Sequence, residues 1–138
     1  MGRKVIILLM GYFLSVRFLY SAEFEFAEKR LTVKSSAMEM VIEGGAVTRI
    51  KNIKTQELFT GDIQGQTEEL FKKSKDVRVS TDSDAVFRQV SANEAEITYK
   101  NLSNGSAEDT CVYTIKIDNK TGEISIQTVY HISDTSKV

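Results

Sequence analysis

Towards the C-terminus, apolar and polar side chains alternate with a period of two. Cys111, Tyr113, Ile115 and Ile117 share one face of an extended segment, and Ile124, Ile126, Thr128, Tyr130 and Ile132 share one face of the next. Successive side chains of a strand leave the backbone on opposite sides, so this spacing belongs to strands with one face buried and one wet. Between the two runs lies Asp118-Asn119-Lys120-Thr121-Gly122. Its Asn and Gly can take the positive-φ positions of a tight loop. The two runs therefore predict an antiparallel hairpin.

The same period recurs upstream. Leu31 and Val33 alternate with Thr32 and Lys34; Met38, Met40 and Ile42 with Glu39, Val41 and Glu43; Ala95, Ile97 and Tyr99 with Glu94, Glu96, Thr98 and Lys100. Gly44-Gly45 supplies a turn between the strand ending near Glu43 and one over Ala46–Ile53. In that second strand Arg49 and Lys51 break the alternation of Val47, Ile50 and Ile53, which points to a bulge or an edge position. Asp76–Ser80 and Ala85–Val90 read as strands joined by the Thr81–Asp84 turn. Only Thr67–Ser74 invites a helix, with Thr67 as N-cap, and its apolar face is limited to Leu70 and Phe71, so a loop fits equally well. Roughly eight short strands with turn signals predict an all-β fold, an antiparallel β-sandwich or part of one.

The first residues carry a different signal. Arg3-Lys4 precede the apolar run Val5–Val16, and Ser21-Ala22 give a small-residue exit. That is the layout of a secretory signal peptide, and the run is too short for a comfortable membrane span of about 20 residues. The expectation is a signal peptide or N-terminal hydrophobic helix over residues 1–22 and a domain over 23–138, exported to the periplasm, cell envelope or exterior. Membrane attachment would come only through an uncleaved N-terminal segment. Cleavage would remove three of 18 basic residues and none of 19 acidic ones, leaving a net charge near −4. Such a domain offers neither the basic footprint of a nucleic-acid binder nor the basic stripe of a peripheral membrane protein. A single cysteine, Cys111, rules out an internal disulfide.

Chemistry is sparse. His131 is the only histidine, and the alternation sets it on the polar face with Ser125, Gln127 and Val129. A general base there needs a nucleophile and an orienting group that no motif supplies. Cys111 falls on the apolar face, where a buried structural thiol is expected. Asp62, Asp82 and Asp84 read as turn residues, since calcium needs about six to eight oxygens in a defined loop. The pairs Glu39/Glu43, Glu68/Glu69 and Glu94/Glu96 lack the fixed separation that glycosidases require. No catalytic residue, metal site or cofactor is therefore assigned. Asn101, Asn104 and Asn119 open three N-glycosylation sequons in predicted turns.

The stretch from Met38 to Phe59, a strand, the Gly44-Gly45 turn, a second strand and then Lys54-Thr-Gln-Glu-Leu58, resembles the opening of a galactose-mutarotase-like β-supersandwich. Such domains stand at the N-terminal end of many exported glycoside hydrolases and polysaccharide lyases. The Tyr113–Gln127 hairpin is similar to the long hairpins of that architecture, and Gln56 stands where a glycine is more usual. The resemblance implies a carbohydrate setting, and the chain reads as the front part of a longer domain or a reduced relative. None of the family's catalytic residues has a counterpart here.

The resulting expectation is a non-catalytic accessory module associated with carbohydrate-active enzymes. It would pack on a catalytic partner or contact polysaccharide, with Gln127 and His131 as the ligand-binding candidates. The alternative is an exported structural or protein-interaction β-domain without a sugar ligand. Unpaired edge strands would favour that alternative, and an exposed apolar patch would mark a surface meant for a second domain.

Overall fold

A computed structural model of the chain describes residues 22–60, 76–134 and 136. The expected N-terminal signal segment, apart from Ala22, and the Thr67–Ser74 helix lie outside those residues. The described chain is all-β, with nine strands in two antiparallel sheets: β1 Glu23–Ala27, β2 Arg30–Lys34, β3 Met38–Glu43, β4 Ala46–Asn52 and β5 Leu58–Thr60 in order in the first, then β6 Asp84–Ser91, β7 Glu94–Lys100, β8 Thr110–Ile117 and β9 Ile124–His131 in the second. Every pairing is between sequence neighbours, so each sheet is a simple meander, and the arrangement is consistent with a β-sandwich.

The expected strands form, with two additions and one subtraction. β1 comes from Phe24 and Phe26 alternating with glutamates, and joins β2 through Glu28 and Lys29, both at positive φ (52° and 64°). β5 is only three residues long and pairs with β4 so that Phe59 lies opposite Ile50. Asp76–Ser80 does not make a strand; it contributes a single bridge, Arg78 to Ser103. The irregularity expected in β4 is a bulge. Ile42 pairs with Val47 while Val41 pairs with Arg49, which skips Thr48. Val47 and Ile50 are three apart, an odd spacing that an uninterrupted strand cannot place on one face, and the bulge turns both inward. At Gln56, where the resemblance has glycine, φ is 62°, and the side-chain amide donates to the Ile53 carbonyl at 2.7 Å.

The apolar faces of the sheets meet in one core. Leu31, Val33, Met40 and Ile42 of the first sheet pack with Ile97, Tyr99, Cys111, Tyr113, Ile115 and Ile117 of the second. Full burial of a branched aliphatic side chain is worth about 1.5–3 kcal/mol, and Leu31, Ile42, Ile97 and Ile115 are all fully buried. Three ties fix how the layers face each other. Phe26 of β1 stacks on Phe87 of β6, with ring centroids 5.3 Å apart. The Tyr113 hydroxyl of β8 donates to the Gly45 carbonyl in the β3–β4 turn at 2.7 Å. The Ser35 hydroxyl, between β2 and β3, donates to the Gly122 carbonyl in the β8–β9 turn at 2.6 Å.

Those ties mean that the sheets count off from the same side. β1 stands over β6 and the end of β3 over β8, so β4 stands over β9, one strand spacing of about 4.8 Å further on. β5, the fifth strand of one layer, overhangs a layer that has only four.

Candidate functional site

Gln127 and His131 both lie exposed on the outer face of the second sheet, with Val129 between them. Pairing extends their rows across the sheet. Gln127 continues the row Arg88–Glu96–Thr114, Val129 continues Val86–Thr98–Val112, and His131 lies opposite Thr110. The face is accessible, as the alternation indicated. Its carboxylates are engaged: Glu96 accepts from Arg88 at 2.8 Å, and Glu94 pairs with Lys116 at 3.7 Å. Glu43 on the other sheet pairs with Arg30 at 3.3 Å. These glutamates neutralise cations on polar strand faces. Among the described residues, no group of three or more His, Cys, Asp or Glu side chains is placed to hold a metal ion.

Cys111 is fully buried, as expected from its apolar face. Burial pushes its thiol up to about 11, against a weaker downward pull from its hydrogen bond with Tyr130. A thiol that stays protonated and sealed in the core is inert as a nucleophile. The sequon asparagines sit in turns. Asn101 donates to the Asp84 carboxylate, Asn104 donates to the Asp76 carbonyl at 3.1 Å, and Asn119 is exposed at the tip of the last hairpin.

Sequence reasoning did not anticipate a depression of about 270 Å³ on the outer face of the first sheet, lined by Glu25, Ala27, Glu28, Arg30, Thr32 and Glu43. β1 contributes Glu25 and Ala27 to its wall and the turn after it Glu28, and neither element was foreseen. A smaller hollow of about 80 Å³ adjoins it, shares Glu28 and Glu43, and reaches Gly44, Ser83 and Tyr99. Among the described residues the buried Tyr99 hydroxyl makes no hydrogen bond; burial pushes it up to about 12, against a weaker downward pull from the nearby Gly45 backbone N–H.

The most unusual surface is the flank where β5 overhangs β9. The inward row Val33–Met40–Ile50 runs on to Phe59. Val33 and Met40 are core residues, yet Phe59 is 61% exposed. In the second sheet the inward row Tyr99–Cys111 ends on Tyr130, 43% exposed, and the row Ile97–Tyr113 ends on Thr128, also exposed. On this flank the core cluster reaches Val47, Ile50 and Ile126, with Ile132, Val77 and Val79 packing against it near Tyr130, while Phe59, Thr128 and much of Tyr130 meet water. Leu58 and Ile53, 50% and 38% exposed, extend the apolar surface around the overhang. Large inward-facing aromatics left open to solvent mark a surface shaped for contact.

No family model, curated protein or solved structure matches the chain.

Proposed function

We propose that this chain is a non-catalytic accessory β-sandwich module whose open flank packs on a protein partner. Following the resemblance carried by Met38–Phe59, the layers are the front part of a supersandwich-like domain, and the partner is an exported catalytic domain acting on carbohydrate. The observation that carries the packing is Phe59, which faces inward from its row and yet is 61% exposed. An unburied core-facing ring gains free energy from any apolar surface that covers it, at about 25 cal/mol per Å².

A second reading is glycan contact across the outer face of the second sheet, where Gln127 and His131 are exposed together. Photo-crosslinking separates the two. A benzophenone amino acid would replace Phe59 in one version of the protein and Gln127 in another, each expressed in the native host. Crosslinks from position 59 to one polypeptide with a carbohydrate-active catalytic domain, and none from position 127, are the expected result. Silence at position 59, together with a glycan that perturbs the amide resonances of Gln127 and His131 in titration, would reverse the assignment.

A further inference from the structure

A sheet edge is a row of unpaired backbone donors and acceptors, and folded proteins protect such rows with charge, bulges or shortness. Three of the four edges here are protected. β1 carries Glu23 and Glu25; β6 carries Asp84 and Arg88 and a register break between Gln89 and Ser91; β5 has three residues. β9 has none of these devices. It is eight residues long, Ile-Ser-Ile-Gln-Thr-Val-Tyr-His, without Lys, Arg, Asp or Glu, and it pairs with β8 in unbroken register. Among the described residues no strand pairs with this edge, which lies beneath the overhang of β5, on the flank where Phe59 is exposed and Tyr130 partly so.

We infer that the second sheet accepts one added strand beside β9, donated as a single extended segment by a partner polypeptide, so that five strands face five. The inference rests on the reading of the flank as an interface and names what enters it. The donor chemistry follows from the slot. Its inward side chains, at every second position, must be apolar to lie against Phe59 above and Tyr130 beside them. Its backbone supplies the hydrogen bonds, as in strand addition generally. The inward donor positions must be uncharged, because an ion buried there would have no counter-charge in β9. A second copy paired through its own β9 fits poorly. Continuing the sheet two-fold would place the copy's β4 over its own β9, in the space already taken by β5.

The test uses the isotope-labelled full chain and a synthetic peptide copying Ile124–Ile132, which has the required alternation and no charged side chain apart from its histidine. The expected result is a shift of the β9 and β5 amide resonances, with hydrogen exchange in β9 slowed about tenfold or more. The same peptide methylated at alternate backbone nitrogens should have no effect. Thr128→Lys, an inward charge on an exposed edge position, should abolish binding. Phe59→Ser should weaken it and serves as the second variant if Thr128→Lys fails to fold. Protection of β9 without peptide, rising with protein concentration, would show that a second copy fills the edge and would overturn the inference. No response to the peptide, while crosslinks from position 59 persist, would mean that the partner lies against the flank without adding a strand. That outcome also overturns the inference, but leaves the packing role standing. Absence of both peptide binding and crosslinks would remove the two together.

Discussion

The Tyr113 hydroxyl of β8 donates to the carbonyl of Gly45 across the interior, joining the second sheet to the glycine turn of the first over 68 residues of chain. Gly45 holds φ near 79°, and a Cβ there would fall 2.7 Å from a methyl of Val79 and 2.9 Å from the Tyr113 oxygen. The glycine that the turn requires is thus also what lets the ring reach the carbonyl.

Tyr113→Phe should lower stability by about 1–2 kcal/mol, since it removes one partly buried hydrogen bond and leaves the Gly45 carbonyl short of a donor. Tyr99 sits edge-on to Tyr113, with ring centroids 5.1 Å apart, but its hydroxyl makes no hydrogen bond among the described residues. Tyr99→Phe should therefore be neutral or slightly stabilising. Denaturant melts of the two variants make the comparison, and equal losses would contradict the assignment of the bond to Tyr113.

Asp109 predicts an acid limit. It is buried, and its carboxylate accepts from the Ser133 and Ser106 backbone N–H groups, each at 2.8 Å, and from the Ser133 hydroxyl at 2.9 Å. The N–H of Ser133 first, then that of Ser106, holds its carboxyl down to about 2 from an ordinary 3.8. A depressed folded-state value means the stabilisation is complete above the unfolded value and is lost as pH falls through the folded one. Thermal midpoints should fall between about pH 4 and pH 2. Asp109→Asn should be less stable at neutral pH and show a shallower fall over that window. A parallel acid profile would place the dependence elsewhere.

The β1–β2 turn offers a stabilising change. Glu28 and Lys29 both sit at positive φ, a conformation that costs side chains with a Cβ and that Asn-Gly accepts in two-residue hairpin loops. Lys29 also pairs with Asp84 at 3.7 Å, but both groups are about half exposed, so the pair is worth little. The double change Glu28→Asn with Lys29→Gly should raise stability by about 1 kcal/mol in a urea melt. A loss would show that the Lys29–Asp84 contact outweighs backbone strain.

That turn also shows what the sequence concealed. Phe24 and Phe26 alternate with glutamates as clearly as any strand in the chain, but Glu-Lys is not a turn dipeptide, so nothing marked where β1 would fold back. The hairpin at Asp118–Gly122 was legible through Gly122, which stands at φ 74° with Asp118 accepting from Lys120 and Thr121 within the loop, although Asn119 does not take the positive φ that the sequence also allowed it. Val77 and Val79 have strand-like spacing but are used to cover the core, with one bridge at Arg78 between them. The outward placement of Gln127 and His131 followed from period two alone. The open flank did not, because Phe59 and Ile50 belong to the same inward row and only the unequal strand counts of the layers separate their burial.

Phe59 and Ile115 both face inward from their sheets, and the difference between them measures the overhang. Ile115 is fully buried, so Ile115→Ala should cost about 2–5 kcal/mol. Phe59 is 61% exposed, and Phe59→Ser should cost under about 1 kcal/mol in the isolated chain. Urea melts of both variants give the ratio directly. If Phe59→Ser proves as damaging as Ile115→Ala, the ring is covered in solution and the flank is already filled without a partner. A small loss leaves an aromatic side chain whose inward placement contributes little to the isolated fold, which is the pattern expected of a residue that acts only when another chain arrives.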